Sequence, residues 1–339
     1  MNQLNLNWEP ITLNLHTTFR IAHGASDQRH NVLVHLAEGV GEAAAVSYHG
    51  ETQSGIMAYL RQVSHSHWDD PALIDEILSS LPPGSRAARA GIDIALHDLY
   101  GKRLGQPLYK ILGLNPTKIP LTSFTIAIDE PERMAEKART LGYSVIKIKL
   151  GTQNDLAILS AIRSVYKARL RLDINAGWSR EQALSLIPQI LDFDVELIEQ
   201  PLPVGDIEGL KWLKDKLQQM GIRIPIFADE NIKTTEDVLK HVGCVDGIVV
   251  KLMKSAGIRE AIKEITIAKA LGMQIMIGCM VETSVGVTAA AHLAPLCDYV
   301  DLDGPLLIKN DPYRGIQYQN SQIILPREPG LGVIIKCQE

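Results

Sequence analysis

Lys147 and Lys149 stand two apart in the apolar run VIKIKL. A strand there projects both ammonium groups to one side and turns Ile146, Ile148 and Leu150 to the other. Later apolar runs also carry polar or charged residues at their ends: LRLDIN has Asp173 and Asn175, VELIEQ has Glu199, IPIFADE has Asp229 and Glu230, GIVVKL has Lys251, and YVDLDG has Asp301 and Asp303. Buried charges without partners are costly, so Asp173, Glu199 and Asp229 at successive strand ends imply a shared cation. An oxygen-only donor set without His or Cys suits Mg²⁺, with Mn²⁺ the alternative, and three protein ligands leave room for water and a substrate oxygen. The competing arrangement is a set of salt bridges in which the neighbouring lysines take up these carboxylates.

Such residues need a scaffold that brings strand ends together. After about residue 117, short apolar strands alternate with helical stretches every 22 to 30 residues or so, the rhythm of a parallel (β/α) barrel of about 200 residues. A doubly wound open sheet is disfavoured, because no GxGxxG follows a first strand. After VIKIKL, Asn154 is placed to cap a helix in which Leu156, Leu159, Ile162 and Val165 form one apolar stripe. Before the barrel, ITLNLH and NVLVHLAEG alternate as strands, whereas GIMAYLRQV, PALIDEIL and RAARAGIDIALHDLYGKRLG have helical spacing.

The chain of 339 residues is 46% hydrophobic with a formal charge of −5, which supplies a large core and argues against disorder. Without a Lys/Arg run or a basic-aromatic stripe, nucleic acid and anionic membranes are poor partners, and a small molecule is a better one. The first residues lack a signal-peptide pattern and no stretch approaches about 18 apolar residues, so a cytoplasmic protein is expected, with a homo-oligomer left open. Cys244, Cys279, Cys297 and Cys337 contain no CxxC pair and read as small buried hydrophobes. Cys279 and Ser284 lack a paired base and read as structural, and His49, His97 and His292 form no constellation.

The order KxK, DxN, E, DE, K over successive strands resembles the enolase superfamily, specifically its muconate-lactonizing subgroup. GEA at 41–43, IALHDLYGKRLGQPLYKILG at 94–113, IEQPL at 198–202 and ADEN at 228–231 extend the likeness over most of the chain. It implies an α/β fold: a (β/α)₇β TIM-like barrel over residues 117–309, under an α+β capping domain formed by residues 1–116 and the tail 310–339. It also implies proton abstraction α to a carboxylate, with a Lys or His base and Mg²⁺. The Asp301/Asp303 pair resembles that of dipeptide epimerases, where two carboxylates receive the substrate's α-ammonium group, and KLMKSAG and MVETSVGVTAAAH are similar to that family too. The implied activity is an isomerase that inverts the α-carbon of a dipeptide's C-terminal residue by two-base 1,1-proton transfer through an enediolate. The alternatives are an N-acylamino acid racemase, o-succinylbenzoate synthase or cycloisomerase of the same fold, or a non-catalytic metal-bound binding protein.

By this likeness Asp173, Glu199 and Asp229 hold Mg²⁺, Lys147 adds a positive charge, and Lys149 and Lys251 act from opposite faces. A free lysine titrates near about 10.4. The neighbouring Lys147, together with burial, is expected to bring Lys149 down. Asn175 and Glu230 are expected to orient a ligand and a lysine. Thr125 in SFTIAI matches a substrate-contacting position, and His23 and Gly24 are taken as substrate-binding residues. The segments 17–30 and 45–52 are expected to be capping loops. Epimerases for Ala-Glu dipeptides carry an arginine where Gly24 aligns, which leaves Arg20, His23 or Arg29 to meet a side-chain carboxylate and disfavours a strict Ala-Glu enzyme.

Overall fold

Alternation in the first 36 residues produces a long antiparallel hairpin, β1 (Leu6–Ile21) with β2 (Gly24–Leu36), and β3 (Gly39–Ala43) adds to it. The computed structural model describes residues 4–22, 24–66 and 68–337. Residues 17–21 and 24–30, expected as loop, are strand: Phe19, Arg20 and Ile21 pair with Ser26, Ala25 and Gly24. The second expected loop contains a single 3-10 turn, Ser47–His49.

β2 and β3 pack on the helix Arg86–Leu104, which Ser85 caps by accepting from the Ala88 amide. The approach is close because the contact is made by glycines. A Cβ on Gly41 would lie 2.0 Å from the Gly91 carbonyl oxygen, and one on Gly39 would lie 2.3 Å from that of Ala95.

Eight parallel strands follow: β4 (Phe124–Ile126), β5 (Val145–Lys149), β6 (Arg169–Asp173), β7 (Val195–Glu199), β8 (Ile226–Ala228), β9 (Gly247–Val250), β10 (Gln274–Gly278) and β11 (Tyr299–Asp301). They are hydrogen-bonded in sequence order. A parallel bridge between Thr122 and Val300, with the Ser123 amide donating to the Val300 carbonyl, joins the first strand to the last. The strands therefore close into a barrel. Ile146, Ile148, Leu172, Ile198 and Ile248 point outward into the main core. Leu197, Phe227, Val249 and Met276 fill the interior with Tyr299. Below the mouth, buried Arg171 lies over the Tyr299 ring and donates to Glu196 and to the Val300 carbonyl.

The helix Asp155–Val165 forms where expected, with a different stripe. Asn154 occupies the cap position but its side chain accepts nothing; Asp155 instead takes the Gly151 and Thr152 amides and the Trp178 indole. Ile158, Leu159 and Ile162 are buried, and Val165 is exposed.

The C-terminal tail touches both parts of the molecule. The Ser321 hydroxyl accepts the Ser144 and Val145 amides at the start of β5, and the Leu331 amide donates to Asp98 of the helix Arg86–Leu104. Among the described residues, no helix is long and apolar enough to cross a membrane.

Candidate active site

Strand register assembles the charged groups. Thr125 aligns with Lys147, Lys149 with Asp173, and Asp173 with Glu199. All lie at the C-terminal ends of the barrel strands, where barrel enzymes carry their sites. In the strand order, β5 and β9 are second and sixth of eight, so Lys149 and Lys251, the residue just after β9, come from opposite walls. Asp173, Glu199 and Asp229 occupy the arc between them through β6, β7 and β8. Asp301, Asp303 and Thr125 occupy the other arc.

Within the barrel mouth the lysines and carboxylates are in contact. The Lys147 ammonium lies 2.9 Å from Asp173, 2.8 Å from Glu199 and 2.6 Å from Asp301. Lys149 donates to Asp173 at 2.5 Å and Lys251 to Asp229 at 2.6 Å. This is the salt-bridged arrangement, and among the described residues no three His, Cys, Asp or Glu side chains stand as a metal-holding group by themselves.

The donor set nevertheless fits a divalent cation. Asp173 and Glu199 already converge on one positive atom, the Lys147 nitrogen. That nitrogen lies off the hydrogen-bonding direction of Glu199, so neither Glu199 oxygen has a hydrogen-bond partner. Burial, then the charge of Asp173, push the Glu199 carboxyl well above the usual range, a penalty that a shared cation would relieve.

At Lys147 and Lys251 the surrounding carboxylates outweigh burial. Burial depresses the Lys147 ammonium, but Asp173, Asp301 and Glu199 outweigh it and hold the pKa well above the ordinary value. Burial likewise disfavours charged Lys251, and Asp229 and Glu199 prevail.

Asn175 and Glu230 bond to each other at 3.1 Å, and the Asn175 amide donates to Asp173 Oδ1. Glu230 makes no direct ion pair with a lysine among the described residues. Asp303 accepts the Thr125 amide at 2.6 Å, and Asp301 accepts the Ser123 hydroxyl at 2.6 Å.

Lys147, Lys149, Lys251, Thr125, Asp301 and Asp303 line one chamber of about 70 Å³, covered by Phe19, Ile21, Arg29, Val46 and Tyr48. The last four also line a neighbouring cavity of about 760 Å³, so they partition the two. Gly24 lies on the outer cavity only. His23 falls outside the described residues. Arg29 is the expected side-chain partner that reaches the inner chamber; Arg20 is exposed and lines neither cavity.

The sequence patterns of two families match the chain: "Mandelate racemase / muconate lactonizing enzyme, N-terminal domain" over residues 10–113 and "Enolase C-terminal domain-like" over residues 130–339. The chain belongs to the enolase superfamily. Among relatives, this enolase-superfamily chain is 39% identical to an L-Ala-D/L-Glu epimerase of Bacteroides thetaiotaomicron, over 98% of this chain and 88% of that one. It is 35% identical to a hydrophobic dipeptide epimerase of Enterococcus faecalis, over 89% and 90%. Among solved structures, the substrate-liganded L-Ala-D/L-Glu epimerase from Bacillus subtilis superposes with TM-score 0.92 at 31% identity, covering all of both chains. The Enterococcus faecalis dipeptide epimerase with Mg and L-Leu-L-Tyr gives 0.91 at 34% identity, over 98% of this chain and 99% of that one.

Three side chains that support the site of this superfamily member escape sequence reasoning. Gln200 accepts the Asp229 amide and so ties the end of β7 to the end of β8. Ser123 anchors Asp301, and Lys254 is bonded to Asp229. Cys279 does line the chamber, but burial, then the charge of Asp303, push its thiol well above the ordinary value, which suits a neutral side chain rather than a nucleophile. Ser284 donates to Asp311 and lies off the chamber.

Proposed function

We propose that this chain is a cytoplasmic, Mg²⁺-dependent dipeptide epimerase. Residues 117–309 serve as its catalytic barrel, and residues 1–116 with 310–339 as its cap. The observation that carries this reading is the placement of Lys149 and Lys251 on opposite walls of the mouth, with acidic strand ends on one arc and the Asp301/Asp303 pair on the other. The names of the aligned relatives, which include epimerases for Ala-Glu and for hydrophobic dipeptides, support it.

Asp173, Glu199 and Asp229 would hold Mg²⁺. Bound there, the ion supplies the positive charge that offsets the charge developing on a substrate carboxylate. Asp301 and Asp303 receive the α-ammonium group and set the direction in which the dipeptide lies. Lys149 then removes the α-proton from one face and Lys251 returns one to the other, inverting the centre; the roles exchange in the reverse direction. Lys147 keeps a fixed ammonium between Asp173, Glu199 and Asp301.

Lys149→Ala and Lys251→Ala should each stop epimerisation of L,L-dipeptides. Each should retain solvent-deuterium exchange at the α-carbon of only one epimer, the two variants being selective for opposite epimers, as read by mass spectrometry in D₂O. Wild-type turnover in either variant would refute the two-base assignment. The same assay with wild type separates the alternatives: deuterium uptake into any dipeptide excludes a binding protein, and loss of mass from a supplied candidate acid marks a lyase.

A further inference from the structure

Asp229 is gripped by two lysines that differ in kind. Lys251 touches its Oδ2 and faces the substrate chamber. Lys254 bonds to the other oxygen, Oδ1, and does not line that chamber. It lines an adjoining cavity of about 40 Å³, among His49, Glu51, Arg86 and Met253.

The Lys254 ammonium has three acceptors: Asp229 Oδ1, the Asp229 carbonyl, and the Val249 carbonyl at 3.0 Å. An ammonium has three protons. Two of them are spent on main-chain oxygens at the ends of β8 and β9, so the nitrogen is fixed by the barrel itself and not by the carboxylate. The third aims at Oδ1. The residue is 3% exposed, so water offers no competing partner.

The turn carrying Lys254 is in turn held by the cap. The Arg86 guanidinium donates to the carbonyls of Lys254, Ser255 and Lys233, bridging the segments that follow β8 and β9. Glu51 accepts the Arg86 amide and the Ser85 hydroxyl, which secures the start of that helix.

We propose that Lys254 is a positioning residue that locks one oxygen of Asp229 from behind and leaves the other turned toward the metal and Lys251. The proposal rests on the reading of Asp229 as a metal ligand. The two lysines of KLMK thereby act differently. Lys251 has one carboxylate contact and can release it to substrate, whereas Lys254 is pinned and stays.

The test uses full-length Lys254→Met and Lys254→Gln, stripped with chelator and titrated calorimetrically with Mg²⁺, followed by dipeptide turnover at saturating Mg²⁺. Removing a partner behind a metal ligand typically costs about 10–100-fold in metal affinity or activity, and Lys254→Met should weaken Mg²⁺ binding by that amount. At saturating metal, kcat should fall while KM for the dipeptide stays within about threefold, because the chamber wall is untouched. Lys254→Gln keeps a donor without the charge and should lie between Lys254→Met and wild type in Mg²⁺ affinity. Should Lys254→Met not fold, as judged by thermal unfolding, Lys254→Gln carries the test alone. Wild-type Mg²⁺ affinity and kcat in a folded variant overturn the proposal. A wild-type protein that takes up no Mg²⁺, or an Asp229→Asn variant that takes it up normally, overturns the ligand reading beneath it and the proposal with it.

Discussion

The charge on Asp303 depends on its surroundings. Burial, then the like charge of Asp301, push its carboxyl up to about 6. Burial would also raise Asp301, but the Lys147 ammonium overrides it and holds that carboxyl below its ordinary value. A protonated Asp303 loses its attraction for an ammonium ion, so kcat/KM for a dipeptide should rise as pH increases through about 6. An N-acylated analogue without the amine should lack that limb, and Asp303→Asn should flatten it for dipeptides; a limb that persists in Asp303→Asn assigns the titration to another group. The site lysines and carboxylates were legible because side-chain direction in a strand repeats every two residues. Their electrostatic environment was not. Sequence neighbours omit the carboxylates that β6, β7 and β11 bring to the Lys147 ammonium. Lys254 and Gln200 were hidden for a related reason, since their contacts are made across loops rather than along a strand.

The cap joins its helix to its sheet through bare backbone. A methyl group on Gly41 would meet the Gly91 carbonyl and the Ala95 amide, neither of which can rotate away. Overpacking of a close contact costs about 1–3 kcal/mol. Gly41→Ala should therefore fall at the upper end of that range, near 3 kcal/mol, measured from urea unfolding. Gly105→Ala is the contrasting control: it meets no atom within 4 Å, and its cost is confined to the left-handed conformation (φ 63) of the helix end. A loss at Gly41 no larger than that at Gly105 would show that the close contact yields without strain. Barrel strands were legible at this scale because each is a short apolar run between helical stretches. The 17–30 segment was not: with its polar residues it reads as loop, and its strand character comes from pairing across the hairpin, which propensity does not register. Asn154 misled similarly: its side chain caps nothing, and Asp155, one residue later, instead ties down the loop before the helix through the Gly151 and Thr152 amides.

Buried titratable groups contribute to how the stability of the whole molecule follows pH. Burial, then the charge of Glu42, raise Glu282 from 4.5 to about 8. Burial, against a hydrogen bond from Ser255, raises Glu264 from 4.5 to about 7. His97, which burial would lower, is held above its ordinary value by Asp93. Each of these binds protons more tightly when folded, so its contribution is full below the unfolded pKa and is lost as pH rises through the folded one. His49 and His292 act oppositely. Burial lowers them from 6.5 to about 3 and about 4, so their contribution is lost as pH falls through those values and is complete above 6.5. Between 4.5 and 6.5 two glutamates oppose two histidines and the slopes nearly cancel. Above 6.5 the histidines no longer contribute and the glutamates remain. At about 1.4 kcal/mol per proton per pH unit, Glu264 and Glu282 should together cost the metal-free protein roughly 2 kcal/mol between pH 6.5 and 8. Urea midpoints in the presence of chelator measure this, and Glu282→Gln should remove most of the alkaline loss and, by leaving one glutamate against two histidines, make stability rise with pH between 4.5 and 6.5. A Glu282→Gln protein that still loses the full amount between pH 6.5 and 8 would show that the proton is held elsewhere, with His97 the next group to replace.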